Sequence, residues 1–323
     1  MRNVLRANIV VLSFLSFLSP ARGQVATATL YGIATDSSRA VVPGAAVTLT
    51  NTQTAATYRK VSDSAGEFVF DFLPTGTYTL RIEAQGFKAN ETKGITLTAG
   101  QQARQTYMLD VGSISETVSV AGTAPLLNAV SAEQQQSIDG SEVSQLPLQR
   151  RNVSNILPVG TGVSDAGGAL RMNGFGRNGT VYSVDGTSAS GNAEQRSAST
   201  YGASDYIDIM SIEGIAEVQT IKGIVPAEYG DALGGHVNLI TKSGTNQFHG
   251  SLFENFQSNT LNARNQLLSN KPGLTFNEFG GSFGGPIRKN RIFIFGDYEG
   301  YREAAFAVVQ GTEIGRASCR ERV

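Results

Sequence analysis

The stretch FNEFGGSFGGPIRKNRIFIFGDYEGY, Phe276 to Tyr301, alternates apolar and polar residues on both sides of a more polar hexapeptide. The alternation predicts two β-strands, Phe276–Phe283 and Arg291–Tyr301, joined by a turn at Gly285-Pro286-Ile287-Arg288-Lys289-Asn290. A third run of the same kind, Phe248–Phe256, precedes them. Segments of about ten alternating residues, rich in aromatics and joined by turns, are the pattern of a membrane β-barrel wall. The edge of a soluble sheet alternates in the same way, so the choice between the two falls to the rest of the chain. Residues 247–312 provide 66 positions, enough for roughly three to five such strands.

The N-terminus favours export. Residues 1–23 place Arg2 and Arg6 before the apolar run Ile9–Leu18, followed by Pro20 and the triplet Ala21-Arg22-Gly23. That order is a secretory signal peptide, with cleavage expected after Gly23, and its apolar run is too short to span ~30 Å of hydrocarbon. At the other end, EIGRASCRERV (Glu313–Val323) reads as the translation of a common sequencing adapter, so residues 313–323 are expected to be an artefact and the native sequence to be cut short. The only cysteine, Cys319, falls inside this tail.

Composition narrows the function classes. The chain of 323 residues has 37 glycines, no tryptophan and 16% charged residues. Setting aside three arginines in residues 1–23, and three arginines and two glutamates in the tail, leaves 20 basic and 25 acidic residues, a net charge of −5. A nucleic-acid binder needs a Lys/Arg excess to neutralise phosphates, and this chain has none. With one cysteine there is neither a disulfide framework nor a multi-cysteine metal centre. No metal site and no cofactor are expected.

Between the ends the pattern changes twice, and the whole reads as mainly β. Residues 24–110 alternate in short runs, Ala45–Thr50, Phe68–Phe72, Tyr78–Ile82 and Ile95–Leu97, broken by Pro43-Gly44, Ala65-Gly66 and Pro74-Thr75-Gly76. This predicts a small antiparallel β-sandwich. Residues 111–246 carry glycine-rich turns and strands at Val181–Val184, Ile215–Lys222 and His236–Thr241, with helices expected at Glu142–Gln145 and Ile207–Ser211. This segment reads as α+β.

Two resemblances sharpen these expectations. VVPGAAVTLTN (41–51) and DSAGEFVFDFLPTGTYTLRIEAQGF (63–87) resemble the carboxypeptidase regulatory-like domain, a transthyretin-like β-sandwich, over Thr27–Asp110. Such domains are accessory modules, so the resemblance implies no peptidase. ISETVSVAG (114–122), LRMNGFGRNGTVYSVDGTS (170–188), IEGIAEVQTIKG (212–223) and PAEYGDALGGHVNLITKSGTNQFHGS (226–251) resemble, in that order, the plug domain of TonB-dependent outer-membrane receptors, notably the Oar-like group. The family usually has Arg-Gly where this chain has Asn173-Gly174, so no role of that arginine transfers. The resemblance implies that residues 247–312 begin an incomplete transmembrane barrel of ~22 strands.

It also implies a coupling segment. Glu116, Thr117, Val118, Ser119 and Val120 resemble the TonB box, an extended stretch that adds as a strand to a TonB-type energy-coupling partner. From the residues alone, the same five positions read equally as the last strand of the sandwich or the first of the plug. Plug residues around Asn173, Phe175, Arg177 and Asn178, together with Asn192–Tyr201, are expected to face an external ligand of unknown identity.

Motifs for enzyme chemistry lack their settings. Gly174-Phe175-Gly176-Arg177-Asn178-Gly179 fits G-x-G-x-x-G, but a strand and turn follow where dinucleotide binding needs a helix. Gly280-Gly281-Ser282-Phe283-Gly284 fits G-x-S-x-G without a following helix or a later histidine. His236 and His249 lie thirteen residues apart with no ligand partners in sequence and read as turn or strand surface residues. No enzyme is expected. The leading reading is an outer-membrane receptor that takes up a ligand by energised movement of the plug, in contact with outer-membrane lipid. The alternative is a non-transporting surface protein whose sandwich binds carbohydrate or an envelope partner. Sequencing the uninterrupted gene separates them: several hundred further residues of alternating aromatic strands are expected, whereas an immediate stop codon or a hydrolase domain contradicts the barrel.

Overall fold

The computed structural model describes residues 27–113, 117–121, 134–146, 151, 153, 156–157, 160, 162–165, 170–175, 180–189, 210–223, 225, 230, 232–263, 271 and 273–305. The expected signal peptide, the adapter-like tail, Glu116, Arg177, Asn178 and Asn192–Tyr201 lie outside these residues.

Two sheets share one apolar core at the N-terminal end. β1 (Thr27–Asp36) pairs antiparallel with β4 (Glu67–Pro74) and parallel with β7 (Gln102–Leu109). The second sheet runs β3 (Thr57–Val61), β2 (Ala46–Asn51), β5 (Gly76–Glu83), β6 (Ala89–Leu97) and β8 (Thr117–Ala121). Period-two alternation sends every second side chain inward. Ala28, Leu30 and Ala34 of β1 thus meet Val47 and Leu49 of β2 and Tyr78, Leu80 and Ile82 of β5 in a single cluster. Phe68 and Phe70 pack there edge to face, 6.0 Å apart at 72°. Tyr78 is wholly buried, and its hydroxyl donates to the Pro74 carbonyl at 2.6 Å, which ties down the Pro74-Thr75-Gly76 corner. The turns at Gly44 and Gly66 both adopt φ of +72°, as the sequence predicted.

A second body is built on a mixed five-stranded sheet ordered β13 (Thr187–Ser188), β12 (Thr180–Val184), β15 (Gly235–Thr241), β14 (Ile215–Lys222) and β9 (Gln134–Asp139). β12 and β15 are parallel, while β14 is antiparallel to both of its neighbours. Helix α1 (Gly140–Gln145) follows β9 directly, with Asp139 as N-cap accepting from the Ser141 N–H at 2.8 Å. Its Val143 joins Ile138, Val218, Val237 and Leu239 in the core on one face of the sheet. A two-stranded ribbon, β10 (Val163–Asp165) with β11 (Leu170–Met172), completes the described elements of this body.

The helix expected at Ile207–Ser211 is corrected over its described residues. Ser211 is extended (φ −62°, ψ 141°) and caps a 3-10 turn, Ile212–Gly214, by accepting from the Glu213 N–H. Serine competes for backbone donors and so caps a helix rather than continuing it. β14 begins immediately afterwards, at Ile215.

The remaining strands are β16 (His249–Ser258), β17 (Leu274–Arg288) and β18 (Ile292–Ala305), hydrogen-bonded in that order. The turn between the last two is shorter than expected, because β17 runs on through Gly285 and Pro286 to Arg288. The reversal is made at Lys289-Asn290, with Asn290 at φ +63° and the Arg291 N–H donating to the Arg288 carbonyl. A Cβ on Gly285 would lie 2.2 Å from the Phe248 ring, and one on Gly281 would lie 2.6 Å from Leu252 Cδ2. These glycines therefore seat large side chains of the neighbouring strand, as aromatic cover of a glycine does in designed sheets.

One face of the three strands exposes large apolar groups, Phe248 (just before β16), Leu252 and Phe256; Phe279, Phe283 and Ile287; and Ile292, Ile294 and Tyr298, with the hydrogen-bonded Glu254 and Asn277 among them. Phe248 to Phe256 spans eight residues, about 26 Å at ~3.3 Å per residue, close to the ~25 Å apolar band of an outer-membrane barrel. The other face of the strands carries Ser251, Asn255, Glu278 and Ser282, with Ser251 and Ser282 sharing a hydroxyl hydrogen bond at 2.8 Å and Asn255 donating to Glu278 at 3.2 Å.

Leu80 is fully buried. Leu80→Ala is expected to cost about 3 kcal/mol through lost transfer energy and an unfilled cavity. The exposed Thr106→Ala should cost under about 0.5 kcal/mol. Urea unfolding followed by circular dichroism checks both.

Candidate functional site

Among the described residues, the segment expected to be a coupling box forms the outermost strand of the second N-terminal sheet. Thr117, Val118, Ser119 and Val120 pair in parallel with Ala89, Asn90, Glu91 and Thr92 of β6. Among the described residues, β8 has no strand on its far side in that sheet. An edge of this kind offers a row of main-chain donors and acceptors, the requirement for strand addition by a partner. Ser119 is exposed and Val118 half-buried.

Of the residues expected to face a ligand, Asn173 and Phe175 are described and both are exposed. Asn173 (φ 51°) and Gly174 (φ 80°) form a tight reversal that brings Phe175 back onto Met172, with the Phe175 N–H donating to the Met172 carbonyl at 3.0 Å. Asn173 also donates through Nδ2 to the Gly234 carbonyl at 3.2 Å and through its backbone N–H to Gly162 at 3.0 Å. Asn173 thus serves a turn, which the Asn-Gly dipeptide signals on its own.

The feature that sequence reasoning missed is a polar face on the five-stranded sheet. The register aligns Ser137, Gln219, Asn238 and Ser183 across four strands. Gln219 and Asn238 are fully buried, and Glu217 is 6% exposed beside them. Ser183 donates to Asn238 Oδ1 at 2.7 Å, Asn238 Nδ2 donates to Gln219 Oε1 at 3.2 Å, and the Gly186 N–H adds a second donor to Asn238 Oδ1. Cross-strand hydrogen bonds of this kind satisfy buried amides that would otherwise be costly. Burial holds the Glu217 carboxyl above its usual range, opposed by hydrogen bonds from the Ser137 hydroxyl and the Ala99 N–H. The alternation Glu217-Val218-Gln219 and Val237-Asn238-Leu239 was the available signal, a sheet apolar on one side and polar on the other.

One histidine expectation is corrected. His236 is not a surface residue: it lies 3% exposed in β15, a strand flanked on both sides, and burial pushes its pKa down to about 4. His249 is exposed on β16 and stacks on Phe295, with ring centroids 6.3 Å apart at 25°. Ser282 sits in mid-strand on β17 rather than on a strand-to-helix elbow. Among the described residues no cluster of three or more His, Cys, Asp or Glu is placed to hold a metal ion, and no helix is long and apolar enough to cross a membrane, a criterion that strands do not enter.

Comparison with known proteins identifies two stretches. Residues 29–110 match the carboxypeptidase regulatory-like domain, and residues 240–313 match an outer membrane beta barrel domain. The TonB-dependent transporter Oar of Myxococcus xanthus is 28% identical, the alignment covering 92% of this chain and 29% of that protein. The chain therefore spans less than a third of the length of this relative. Among solved structures, the siderophore receptors PirA of Acinetobacter baumannii and of Pseudomonas aeruginosa overlap 51% and 48% of the chain at 23% and 22% identity, with TM-scores of 0.39 and 0.34. They cover 24% and 26% of those receptors. The domain matches and the curated relative support an outer-membrane TonB-dependent receptor and place the chain in the outer membrane.

The buried histidine makes stability depend on pH. Unfolded, it titrates near ~6.5; folded, near 4. Between those values the unfolded chain binds the proton that the fold excludes, so His236 stabilises fully above ~6.5 and this contribution is lost as pH falls towards 4, up to about 3 kcal/mol. Glu217, raised in the fold, acts in the opposite sense. Comparing urea midpoints of the native chain and His236→Gln at pH 7.5 and 4.5 isolates the histidine: the variant is expected to lose less stability over this interval.

Proposed function

We propose that this chain is the N-terminal part of an outer-membrane receptor that takes up an external ligand by energised movement of a plug. In this reading the two-sheet N-terminal body is a periplasmic transthyretin-like sandwich, the five-stranded sheet with α1 is the plug, and β16 to β18 are the first strands of a transmembrane barrel. The observation that carries the proposal is the exposed apolar row along β16 to β18, Phe248-Leu252-Phe256, Phe279-Phe283-Ile287 and Ile292-Ile294-Tyr298, with hydrogen-bonded Ser251, Ser282, Asn255 and Glu278 among aromatics on the opposite face. Lipid accepts strands that turn a largely apolar row towards it, and only inside a closed wall. The match of residues 240–313 to an outer membrane beta barrel domain supports it independently.

Energy would enter through residues 116–120. A TonB-type partner adds a strand to the free edge of β8, and a pull along that strand is transmitted to the chain that follows it. Outer-membrane lipid surrounds the barrel strands, and the ligand meets the plug from outside, with Phe175 among the exposed plug residues.

Val118→Pro in the full-length receptor removes a main-chain donor from β8 and breaks its pairing potential. Energised uptake should then fall to background while ligand binding at the cell surface persists. Unchanged uptake would mean that coupling enters elsewhere.

A further inference from the structure

The polar face of the five-stranded sheet carries a second arrangement that the transport reading does not use. The Thr98–Gly100 turn of the N-terminal body sits on it, with Ala99 fully buried. The Ala99 N–H points at both carboxylate oxygens of Glu217, each at 3.3 Å. The Ala99 carbonyl accepts from Gln135 Nε2 at 2.6 Å and from Gln219 Nε2 at 3.0 Å. Ser137 donates its hydroxyl to Glu217 Oε1 at 2.5 Å and so orients the carboxylate. One backbone donor and one backbone acceptor are thereby read by three side chains on two neighbouring strands, β9 and β14.

The chemistry of this contact distinguishes it from the two cores. Ile138, Val218 and Leu239 bury an apolar face on the opposite side of the same sheet, a surface that water would expose only at a large cost. On the Ala99 side the groups that the turn touches are a carboxylate, amides and a hydroxyl, although Val181, Ile221 and Ile240 are buried on the same face. When the turn leaves, water can replace the Ala99 N–H and carbonyl without leaving any of them unsatisfied. Interfaces between domains of one chain have this polar character, and relative motion is their ordinary behaviour.

We propose that the Thr98–Gly100 turn and the socket of Gln135, Ser137, Glu217 and Gln219 form a releasable latch between the N-terminal body and the five-stranded sheet. It opens without unfolding either partner. The latch rests on the contact alone. Where the sheet moves as a plug, it decides whether the N-terminal body moves with it or is left behind.

Two adjacent amides report on it. The Ala99 N–H donates across the contact, whereas the Gly100 N–H donates to the Thr27 carbonyl at 3.0 Å within its own body. Residue-resolved hydrogen exchange on the whole chain in detergent micelles should find Ala99 exchanging at least tenfold faster than Leu80 in the sheet core, because the latch opens below the global unfolding energy. Glu217→Ala should accelerate Ala99 at least tenfold more and leave Gly100 unchanged. Glu217→Gln, which keeps an acceptor oxygen, should stay within about threefold of the native rate. Gln135→Ala, on the half-buried rim, provides a second test and should accelerate Ala99 alone. Equal rates for Ala99 and Leu80 in the native chain would overturn the latch, as would an Ala99 amide that stays protected in both Glu217→Ala and Gln135→Ala, or Gly100 accelerating together with Ala99.

Discussion

A polypeptide crossing hydrocarbon finds no water for its N–H and C=O groups, and in the proposed reading the C-terminal strands answer that constraint. Paired strands satisfy the backbone sideways, which leaves side chains only two directions, outward to lipid or inward. β16, β17 and β18 keep an exposed row of Leu252, Phe256, Phe279, Phe283, Ile292, Ile294 and Tyr298 on one side, interrupted by Glu254 and Asn277, while the other side mixes Ser251, Asn255, Glu278 and Ser282 with the aromatics Phe276, Phe295 and Tyr301. Gly281 and Gly285 belong to the same solution, since their missing side chains open room on β17 for Leu252 of β16 and for Phe248 just before it. The sequence GGSFGG, which superficially suggests a nucleophile elbow, is instead a packing device of a long strand.

The rest of the chain solves a different problem, that of burying surface in water, and does so in two ways. The N-terminal body closes two sheets over an unbroken apolar core in which Tyr78, Leu80 and Ile82 face Leu30, Phe68 and Phe70. The five-stranded sheet has one such face and one on which Ser183, Asn238, Gln219 and Ser137 form a hydrogen-bonded row across four strands beside the buried Val181, Ile221 and Ile240. An apolar face specifies where the helix and the 3-10 turn pack. A polar face specifies a partner by hydrogen-bond geometry and can return to water, which is why the Ala99 contact differs in kind from the cores on either side of it.

Much of this was legible in the residues. Ile215–Lys222 reads as a strand with the same two ends in sequence and structure, and Val181–Val184 and His236–Thr241 agree to within one residue, because β-branched runs bounded by glycine leave little choice. What failed depended on tertiary context. Burial of His236 follows from its strand lying between two others, which no local pattern encodes. The end of β17 was misplaced because Gly285-Pro286 is turn chemistry in isolation, whereas the ring of Phe248 across the strand gives the glycine a place in the sheet. The box residues could be read as coupling segment or strand from their composition, and pairing with β6 is a long-range fact. The polar row went unread because scattered Gln, Asn and Ser carry no motif until register aligns them.

The central claim is that β16 to β18 face lipid on one side only. Single fluorescent labels at Leu252, Phe283 and Ile294, and at Ser251, Ser282 and Asp297, in the full-length protein reconstituted with brominated lipids, test it most directly. The account predicts strong quenching at the first three positions and little at the second three. Uniform quenching at all six, or none at any, would contradict a membrane-embedded wall.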